Sequence, residues 1–489
     1  MVRIGRAGIR IAFITGALVL AGAGQAQDVV SKQYEDGGVY EGTFKDGKQH
    51  GHGVYRLPNG YVYDGDWVDG EILGQGKATY PNGSVYEGQF QKGKPHGKGK
   101  ITYADGGSYE GDWLDGEING QGVAHYANGA TYTGSFVKAL HNGKGVMESP
   151  GGYRYDGDWV NGVKEGKGKI TYPDGAVYDG DMLRGQRAGQ GKLTLADGLV
   201  YEGGWADGQM NGAGKLTQPN GDIYEGPLVA GKRQGTGKVT YANGDSYEGG
   251  FQNDKRAGKG VFKGKDGYLY DGDWVDGRIA GAGKVTYPDG SVYEGQFADD
   301  LANSRGKITY KDGATYDGDW KAGVIDGKGI ATYANGLVYE GDFVKGKNHG
   351  QGKMTYPDGY SYVGAWKDGQ REGQGVATYA DGTIFTGQFR AGQREGQGEI
   401  IMKDGFRYVG GWKAGEIDGR GLATYPNGDV YDGNFKAGKR QGQGTMRYAT
   451  GETATGTWTD GSLTAETPAV DAPVTGTTGT APATDSGGN

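Results

Sequence analysis

A pattern of aromatic and glycine residues recurs every 23 residues through most of this chain, without one insertion or deletion. In each repeat the first position is aromatic, with one exception, glycine follows two residues later, and a bulky apolar residue comes two residues after that. Such strict spacing excludes a random coil and loops of variable length, and it means that every repeat has the same structure and packs on its neighbours. The first positions are Tyr40, Tyr63, Tyr86, Tyr109, Tyr132, Tyr155, Tyr178, Tyr201, Tyr224, Tyr247, Tyr270, Tyr293, Tyr316, Tyr339, Tyr362, Phe385, Tyr408, Tyr431 and Ala454.

The stretch GQGKATYPNGSVYEGQF, residues 74–90, predicts the structure of one repeat. Two runs of strand-forming residues flank Pro-Asn-Gly, and Asn-Gly between such runs is a strong hairpin signal. With a three-residue loop at 81–83, Ala78 faces Tyr86 and Lys77 faces Glu87, so residues of matching character lie opposite each other. A two-residue loop would shift the register by one residue and mix the two faces. We therefore predict the three-residue loop, with Gly83 in the left-handed conformation and closing a β-bulge.

The two faces of this hairpin differ in chemistry. One face carries the aromatic residues and the glycines, and the other carries lysine, threonine, glutamate and glutamine. Glycine lets a neighbouring ring lie on the backbone, so we expect a thin continuous core of rings on glycine, with the tyrosine hydroxyls in water at its rim. The position after the first aromatic residue is acidic in fourteen of nineteen repeats. This predicts ion pairs on the opposite face.

Short connections between hairpins favour antiparallel neighbours. The expected fold is therefore all-β: an elongated, single-layer antiparallel meander of 23-residue β-hairpins that forms a rod. In such an array stability comes from contacts between neighbouring repeats rather than from one central core.

The repeat resembles the MORN (membrane occupation and recognition nexus) repeat. Its pattern YxGxxxxGxxxGxGxxxxxxGxx is matched by YEGQFQKGKPHGKGKITYADGGS, residues 86–108, and the resemblance covers residues 38–461 in about 18–19 repeats. The resemblance implies β-hairpin units in an elongated sheet and no catalytic residues, because in enzymes with MORN blocks a separate domain performs the chemistry. It also implies a scaffold, commonly dimeric, and a lipid-binding role has been proposed for some family members.

The residues outside the array differ from it in composition. Residues 1–26 hold three arginines, then a short apolar run, then small residues at 24–26, which predicts a signal peptide cleaved near Ala26. The alternative is a retained N-terminal anchor. Residues 27–37 form a short lead, and residues 462–489, rich in Thr, Pro, Ala and Gly, predict a disordered tail. We expect a bacterial exported protein that is periplasmic or secreted.

A longer period is superimposed on the repeat. The bulky apolar position alternates between Trp and a smaller residue, which gives a 46-residue superperiod, and the loops alternate between acidic and basic. Duplication of a two-repeat block explains this alternation, since large and small side chains and opposite charges complement each other. The alternation slips at Leu228 and Phe251, and we hypothesise a change of curvature between these residues.

Composition and spacing argue against several functional classes. The net charge of −8 disfavours nucleic acid as a partner. The chain has no cysteine. His50, His96 and His349 share one repeat position, too far apart to converge on a metal ion, so solvated loop histidines are expected there. The sequence predicts no catalytic residues, no metal, no cofactor and no enzymatic activity.

The expected function is a non-enzymatic scaffold in the cell envelope that binds protein partners or associates with itself as a homodimer. The alternative is a surface that binds envelope polysaccharide or lipid through aromatic rows and basic loops. The candidate basic loop comprises Lys92, Lys94, Lys98 and Lys100. Further candidates for a specific contact are departures from the repeat at 138–141, at Asp254 and at 299–305. The candidate aromatic surface comprises Tyr86, Phe90, Tyr109, Trp113, Tyr293, Trp320, Tyr339, Trp366 and Trp412.

Overall fold

The computed structural model describes residues 29–467. These residues form forty β-strands and no helix, and the strands pair in antiparallel fashion. Contacts divide the chain into two segments, residues 1–219 and 220–489. Within each segment strands that follow one another along the chain pair with each other. The predicted all-β antiparallel meander of hairpins is confirmed.

The strands of the first segment are β1 Val30–Gln33, β2 Val39–Lys45, β3 Lys48–Arg56, β4 Val62–Val68, β5 Glu71–Thr79, β6 Val85–Gln91, β7 Lys94–Thr102, β8 Ser108–Leu114, β9 Glu117–His125, β10 Thr131–Val137, β11 Leu140–Glu148, β12 Arg154–Val160, β13 Val163–Thr171, β14 Val177–Leu183, β15 Gln186–Thr194, β16 Val200–Ala206 and β17 Gln209–Thr217.

The strands of the second segment are β18 Ile223–Val229, β19 Lys232–Arg233, β20 Gly235–Thr240, β21 Ser246–Gln252, β22 Lys255–Lys263, β23 Leu269–Val275, β24 Arg278–Thr286, β25 Val292–Ala298, β26 Leu301–Thr309, β27 Thr315–Lys321, β28 Val324–Thr332, β29 Val338–Val344, β30 Lys347–Thr355, β31 Ser361–Lys367, β32 Gln370–Thr378, β33 Ile384–Arg390, β34 Gln393–Ile401, β35 Arg407–Lys413, β36 Glu416–Thr424, β37 Val430–Lys436, β38 Lys439–Arg447, β39 Thr453–Thr459 and β40 Ser462–Glu466.

The loop between β5 and β6 has the predicted length and register. The N–H of Tyr80 donates to the carbonyl of Ser84 at 2.8 Å, and the N–H of Gly83 donates to the carbonyl of Tyr80 at 2.9 Å. Gly83 has a φ of 84°, the left-handed conformation that glycine adopts without strain. Ala78 lies opposite Tyr86 in the ladder. The prediction of a three-residue loop is therefore confirmed.

The connection between β6 and β7 is a two-residue turn. Lys92 and Gly93 have φ values of 52° and 76°. Positive φ at both central residues is the mark of a type I′ turn, whose twist matches that of the flanking strands. The antiparallel neighbour expected from the short connection is confirmed here.

A β-bulge interrupts each hairpin of this second kind. In the β6–β7 pair the register shifts between Gly88 and Phe90, which leaves Gln89 without a partner on β7. The hydroxyl of Tyr86 donates to the carbonyl of Gln89 at 2.9 Å, and the side chain of Gln89 accepts from the N–H of Lys98 at 3.0 Å. The core tyrosine therefore completes the hydrogen bonding of the bulge. The expectation that these hydroxyls lie in water is wrong, because the bulge supplies a carbonyl within reach.

The core is a ladder of rings that lies on the glycine face of the sheet. The ring of Tyr86 packs edge-on against Phe90 of its own repeat and Trp113 of the next, each with centroids 5.0 Å apart. The indole N–H of Trp113 donates to the carbonyl of Gly99 in the preceding repeat at 3.1 Å. All nine tryptophans make the corresponding bond. Each tryptophan thus ties two repeats together, as expected for stability that comes from neighbour contacts.

The pairing of the strands is interrupted where the 46-residue alternation slips. Pro227 has no backbone N–H, and the pairing of β18 with β20 covers only residues 223–225 before it is interrupted. The short strand β19 pairs instead with the end of β18, at Leu228 and Val229. The slip therefore coincides with a local irregularity, and the change of curvature near it stays a prediction.

Both ends of the array differ from their predicted bounds. Within the lead assigned to residues 27–37, Val30–Gln33 forms β1 and pairs with β2. The tail was expected to begin at Ser462, whereas Ser462–Glu466 forms β40 and pairs with β39. This strand covers β39, which would otherwise be the edge strand of the sheet. Leu463 of β40 lies opposite Trp458 of β39. The predicted signal peptide and the rest of the tail lie outside the described residues.

Candidate functional site

The nine aromatic residues predicted as an interaction surface belong to the core. None of them is more than 9% exposed. A partner cannot reach these rings without separating the repeats, so this prediction is corrected. The physical reason is a further row of side chains, five residues after each bulky position, that covers the rings and that the sequence analysis did not single out.

Arginine is the commonest member of this covering row. The guanidinium of Arg394 lies 4.3 Å from the ring centroid of Trp412, and its Nη2 donates to the carbonyl of Gly415 at 2.8 Å. Such contacts combine a cation–π interaction with a hydrogen bond to the next turn. In the sequence these arginines stand in basic loops, where a solvated charge is expected. The stacked arginines are Arg187, Arg233, Arg256, Arg371, Arg394 and Arg440.

The isoleucines of the covering row all precede the same kind of repeat. Every isoleucine of the row precedes a repeat with Phe at the bulky position, and four of the six stacked arginines precede a repeat with Trp. The change between isoleucine and arginine in this row therefore accompanies the Phe–Trp alternation of the next repeat, in agreement with the two-repeat block. The isoleucines are Ile72, Ile118, Ile279, Ile325 and Ile417.

His141 takes the place of arginine in one repeat. Its imidazole is stacked on Tyr132 with centroids 3.7 Å apart, and its Nε2 lies 2.6 Å from the hydroxyl of Tyr126. Burial lowers the pKa of His141 to about 4. The ring is therefore neutral near pH 7 and acts as a core side chain. It belongs to the 138–141 departure, which contacts neighbouring repeats in the described residues.

The other departures also make contacts within the array. Asp254 and Asp300 replace a turn glycine, with φ values of 70° and 67°. Their carboxylates accept from the backbone N–H of Arg233 at 2.9 Å and of Ile279 at 2.7 Å. Each aspartate thus ties a turn to the preceding repeat. A contact with a partner at these positions stays a prediction.

The histidines expected in solvated loops lie on strands. His50, His96 and His349 belong to β3, β7 and β30. The Nδ1 of His96 accepts from the backbone N–H of Asp115, in the next turn, at 3.5 Å. In other repeats a different side chain at this position accepts the corresponding hydrogen bond. Glu372, for example, accepts from the N–H of Ala391 at 2.9 Å. Where this row carries a side-chain acceptor, the residue therefore ties its repeat to the next turn, and the loop prediction is corrected.

The face opposite the core carries ion pairs in register. The Nζ of Lys77 lies 2.6 Å from Glu87, as the predicted pairing requires. The Nζ of Lys98 lies 2.6 Å from Asp112, and hydrogen bonding to this ammonium holds the pKa of the Asp112 carboxyl below its usual value. The same carboxylate accepts from the N–H of Gln121 at 2.9 Å and so caps the bulge of its own repeat. The aspartate directly before the tryptophan therefore has a structural role in this repeat.

The polar face contains open grooves. In the first segment a cavity of about 740 Å³ extends over successive repeats. Its floor is the backbone at glycine positions such as Gly99, and its walls carry both charges, among them Lys100 and Glu110, which lie 3.5 Å apart. In the second segment, cavities of about 490 Å³ and 400 Å³ are lined by equivalent positions at 236–271 and 305–341.

The four lysines predicted as one basic loop occupy two different places. Lys92 lies in the turn between β6 and β7, and Lys94 begins β7. Lys98 and Lys100 lie further along β7 and line the groove, where each has an acidic partner. A single basic patch is therefore not formed, because strand β7 carries the second pair away from the turn.

Among residues 29–467, no group of three or more His, Cys, Asp or Glu side chains is placed to hold a metal ion. The same residues contain no helix with the length and apolar character of a membrane span.

The repeat itself decides the family. A family model of the MORN repeat matches eighteen successive stretches of the chain. This chain belongs to the MORN-repeat family. The matched residues are 40–60, 63–85, 86–108, 109–131, 132–152, 155–177, 178–200, 201–223, 224–246, 247–267, 270–292, 293–315, 316–338, 339–359, 362–384, 385–407, 408–430 and 431–453.

Individual relatives of this MORN array share only part of it. Alsin from Rattus norvegicus is 43% identical over 49 residues, which is 9% of this chain and 3% of alsin. The TCP10 domain of Danio rerio CPAP, in complex with a peptide of Danio rerio STIL, is 16% identical over 55% of this chain and 93% of the domain, with a TM-score of 0.19. The SAS-4 (dCPAP) TCP domain of Drosophila melanogaster, in complex with a proline-rich motif of Ana2 (dSTIL), is 16% identical over 43% of this chain and 98% of the domain, also with a TM-score of 0.19. Because both TM-scores are low, these structural similarities carry no functional inference.

Proposed function

We propose that this MORN array is a non-enzymatic, exported scaffold that binds partner proteins along its polar grooves. The observation that carries the proposal is the groove of about 740 Å³ on the face opposite the core. Each repeat places side chains of the same kind along the groove, so one partner can contact several repeats in succession. Repeat arrays commonly bind through such extended surfaces.

The chemistry of the groove favours a polypeptide. Its floor is strand backbone at glycine positions whose open side faces the core rings, so no side chain stands over that backbone on the polar face and another chain can approach it. Its walls alternate in charge, as Lys98 with Asp112 and Lys100 with Glu110 illustrate. A partner segment with charges of both signs can complement such walls, and electrostatic complementarity of this kind gives specificity.

The alternative of polysaccharide binding has less support. It depends on exposed aromatic rows, and the nine aromatic residues predicted as that surface are buried in the core. Lipid binding depends on a cluster of unopposed basic residues, whereas Lys98 and Lys100 are paired.

The export part of the proposal rests on residues 1–26, and N-terminal sequencing of the mature protein tests cleavage near Ala26.

A charge-swap experiment tests the groove. The full-length protein, carrying a proximity label, is expressed in its native cells, and labelled proteins are compared between two double variants of equal charge change. Lys98→Glu/Lys100→Glu alters the groove, whereas Lys92→Glu/Lys94→Glu alters the hairpin end. We expect the groove variant to lose specific partners that the wild type and the hairpin variant retain.

A second variant guards against misfolding of the first. Val123 lines the groove on β9, and Val123→Arg obstructs the groove without breaking an ion pair. We expect this variant to lose the same partners. An identical set of labelled proteins for all variants would contradict the proposal, and so would retention on purified envelope polysaccharide with no variant-dependent protein.

A further inference from the structure

A slot lies on the ring side of the sheet, between two successive hairpin loops. Tyr103 and Tyr126 stand at the start of these loops and are 38% and 39% exposed. A cavity of about 340 Å³ separates them, with Gly107 at its edge. Tyr109 and Phe136, which are core residues, also line it, so the slot and the polar groove are on opposite faces.

The chain fills the equivalent space with its own rings elsewhere. Tyr360 occupies the repeat position of Gly107, and its ring lies between Tyr356 and Tyr379 with centroids 5.0 and 5.1 Å away. These two tyrosines correspond to Tyr103 and Tyr126. The space over Gly107 is therefore the place of one aromatic ring that this repeat lacks. Aromatic residues at the position of Gly107 in other repeats are Tyr61, Tyr153, Tyr268, Tyr360 and Phe406.

The inner end of the slot is apolar. In the filled repeat the hydroxyl of Tyr360 accepts a hydrogen bond from Arg371. The repeat of Gly107 has Ile118 at the position of Arg371, and Ala124 and Ala139 complete the inner lining. A phenol or sugar hydroxyl directed there would be without this partner, which is costly for a buried polar group. A phenyl ring meets no such cost and gains edge contacts with the two tyrosines.

We propose that the slot between Tyr103 and Tyr126 binds a phenylalanine side chain of a partner polypeptide. In this sequence the residues outside 29–467 contain one aromatic residue, Phe13, which belongs to the predicted signal peptide, so we assign the ring to a partner protein. Tyr103 and Tyr126 hold the ring from both sides, and Ile118 contacts its far edge. This site acts independently of the polar groove, and a small probe tests it without any partner being known.

The test is a titration of the full-length protein with N-acetylphenylalanine amide, followed by the methyl resonances of isoleucine. We expect saturable shifts at Ile118 with a millimolar Kd, which is typical of a ligand of this size. Ile72 serves as the internal control, because its repeat carries Tyr61 at the position of Gly107. N-acetylalanine amide and methyl glucoside are titrated in parallel, and neither should produce the shift.

Two variants with the same added side chain complete the test. Gly107→Tyr places a ring where Tyr360 has one, so the repeat should fold and the probe should no longer bind. Gly151→Tyr adds a ring at a loop glycine whose β-carbon would meet nothing within 4 Å, so binding should be unchanged. Equal binding to wild type and Gly107→Tyr would overturn the proposal, as would equal shifts at Ile72 and Ile118 or saturable binding of the glucoside alone.

Discussion

The ring of Tyr63 lies against the backbone of Gly76 on the neighbouring strand, so closely that a β-carbon at residue 76 would be 2.5 Å from the ring Cε2. Tyr63 is fully buried, and the same relationship recurs between the first tyrosine of a repeat and the glycine thirteen residues later. Ring and glycine are therefore one packing unit, in which neither residue can change alone.

Gly76→Ala should accordingly destabilise the array. The added methyl group forces the ring of Tyr63 off its place, and overpacking of this kind costs about 1–3 kcal/mol. Hydrogen exchange of the amides in β4 to β6, together with thermal melting, measures the effect. Gly151→Ala is the matched control, since its methyl group meets nothing within 4 Å. Equal protection in the two variants would show that the ring does not depend on the glycine.

The hydroxyl of the core tyrosine can be tested in both directions. Tyr362 donates to the carbonyl of Ala365 at 3.0 Å, so Tyr362→Phe should lose about 1 kcal/mol of stability. Phe385 is the natural exception, and Phe385→Tyr should gain up to about the same amount by donating to the carbonyl of residue 388. Urea titration monitored by tryptophan fluorescence gives both changes. A gain in Tyr362→Phe or a loss in Phe385→Tyr contradicts the role of the hydroxyl at the bulge.

The covering arginines should contribute to stability although they stand in charged loops. Arg394→Ala removes the contact with Trp412 and the hydrogen bond to Gly415, and we expect a loss of about 1–2 kcal/mol. Arg390→Ala, at an exposed strand position four residues earlier, removes the same charge and should change little. Thermal melting of the two variants, at low and high salt, separates packing from long-range charge effects. Equal melting temperatures would mean that the stacking adds nothing.

The array should lose stability in alkali. Burial raises the pKa of Tyr109 and of Tyr132 to about 12, whereas an unfolded tyrosine titrates near pH 10. Because the pKa is higher in the folded state, the buried neutral tyrosines stabilise the fold fully below about pH 10. This stabilisation is lost as the pH rises towards about 12. Ultraviolet absorbance of tyrosinate and circular dichroism should therefore change together in this window. Ionisation of the tyrosines near pH 10 with the sheet intact would contradict this expectation.

The period of the sequence was sufficient to predict the hairpin, the loop with Gly83 and the register that pairs Ala78 with Tyr86. Each of these follows from local rules, because turn chemistry and strand alternation act over a few residues. The bulge at Gln89 was not predicted, because nothing in the sequence between Phe90 and Gly99 marks the point at which the pairing of β6 with β7 changes register. For that reason the role of the tyrosine hydroxyl was also missed.

The site was harder to predict than the fold. The buried state of Trp113 depends on rings and covering side chains in other repeats, and no window of sequence shows that coverage. Arg394 could have been found from its alternation with isoleucine, because a charged residue that alternates in step with Trp and Phe is typical of a packing role. The slot over Gly107 depends on the absence of one ring, and that absence leaves a cavity only because the loops of successive repeats are neighbours in space.

The pairing of covering residue and ring has a consequence for how such a gene can grow or shrink. Loss of the 23 codons of the repeat that follows Ile72 would place this isoleucine next to the indole of Trp113, in place of the phenyl ring that it now precedes. Losing 46 codons restores the original neighbours on both sides of the cut. Viable length variants of this protein should therefore differ by even numbers of repeats, except at breaks in the alternation such as the one at Leu228.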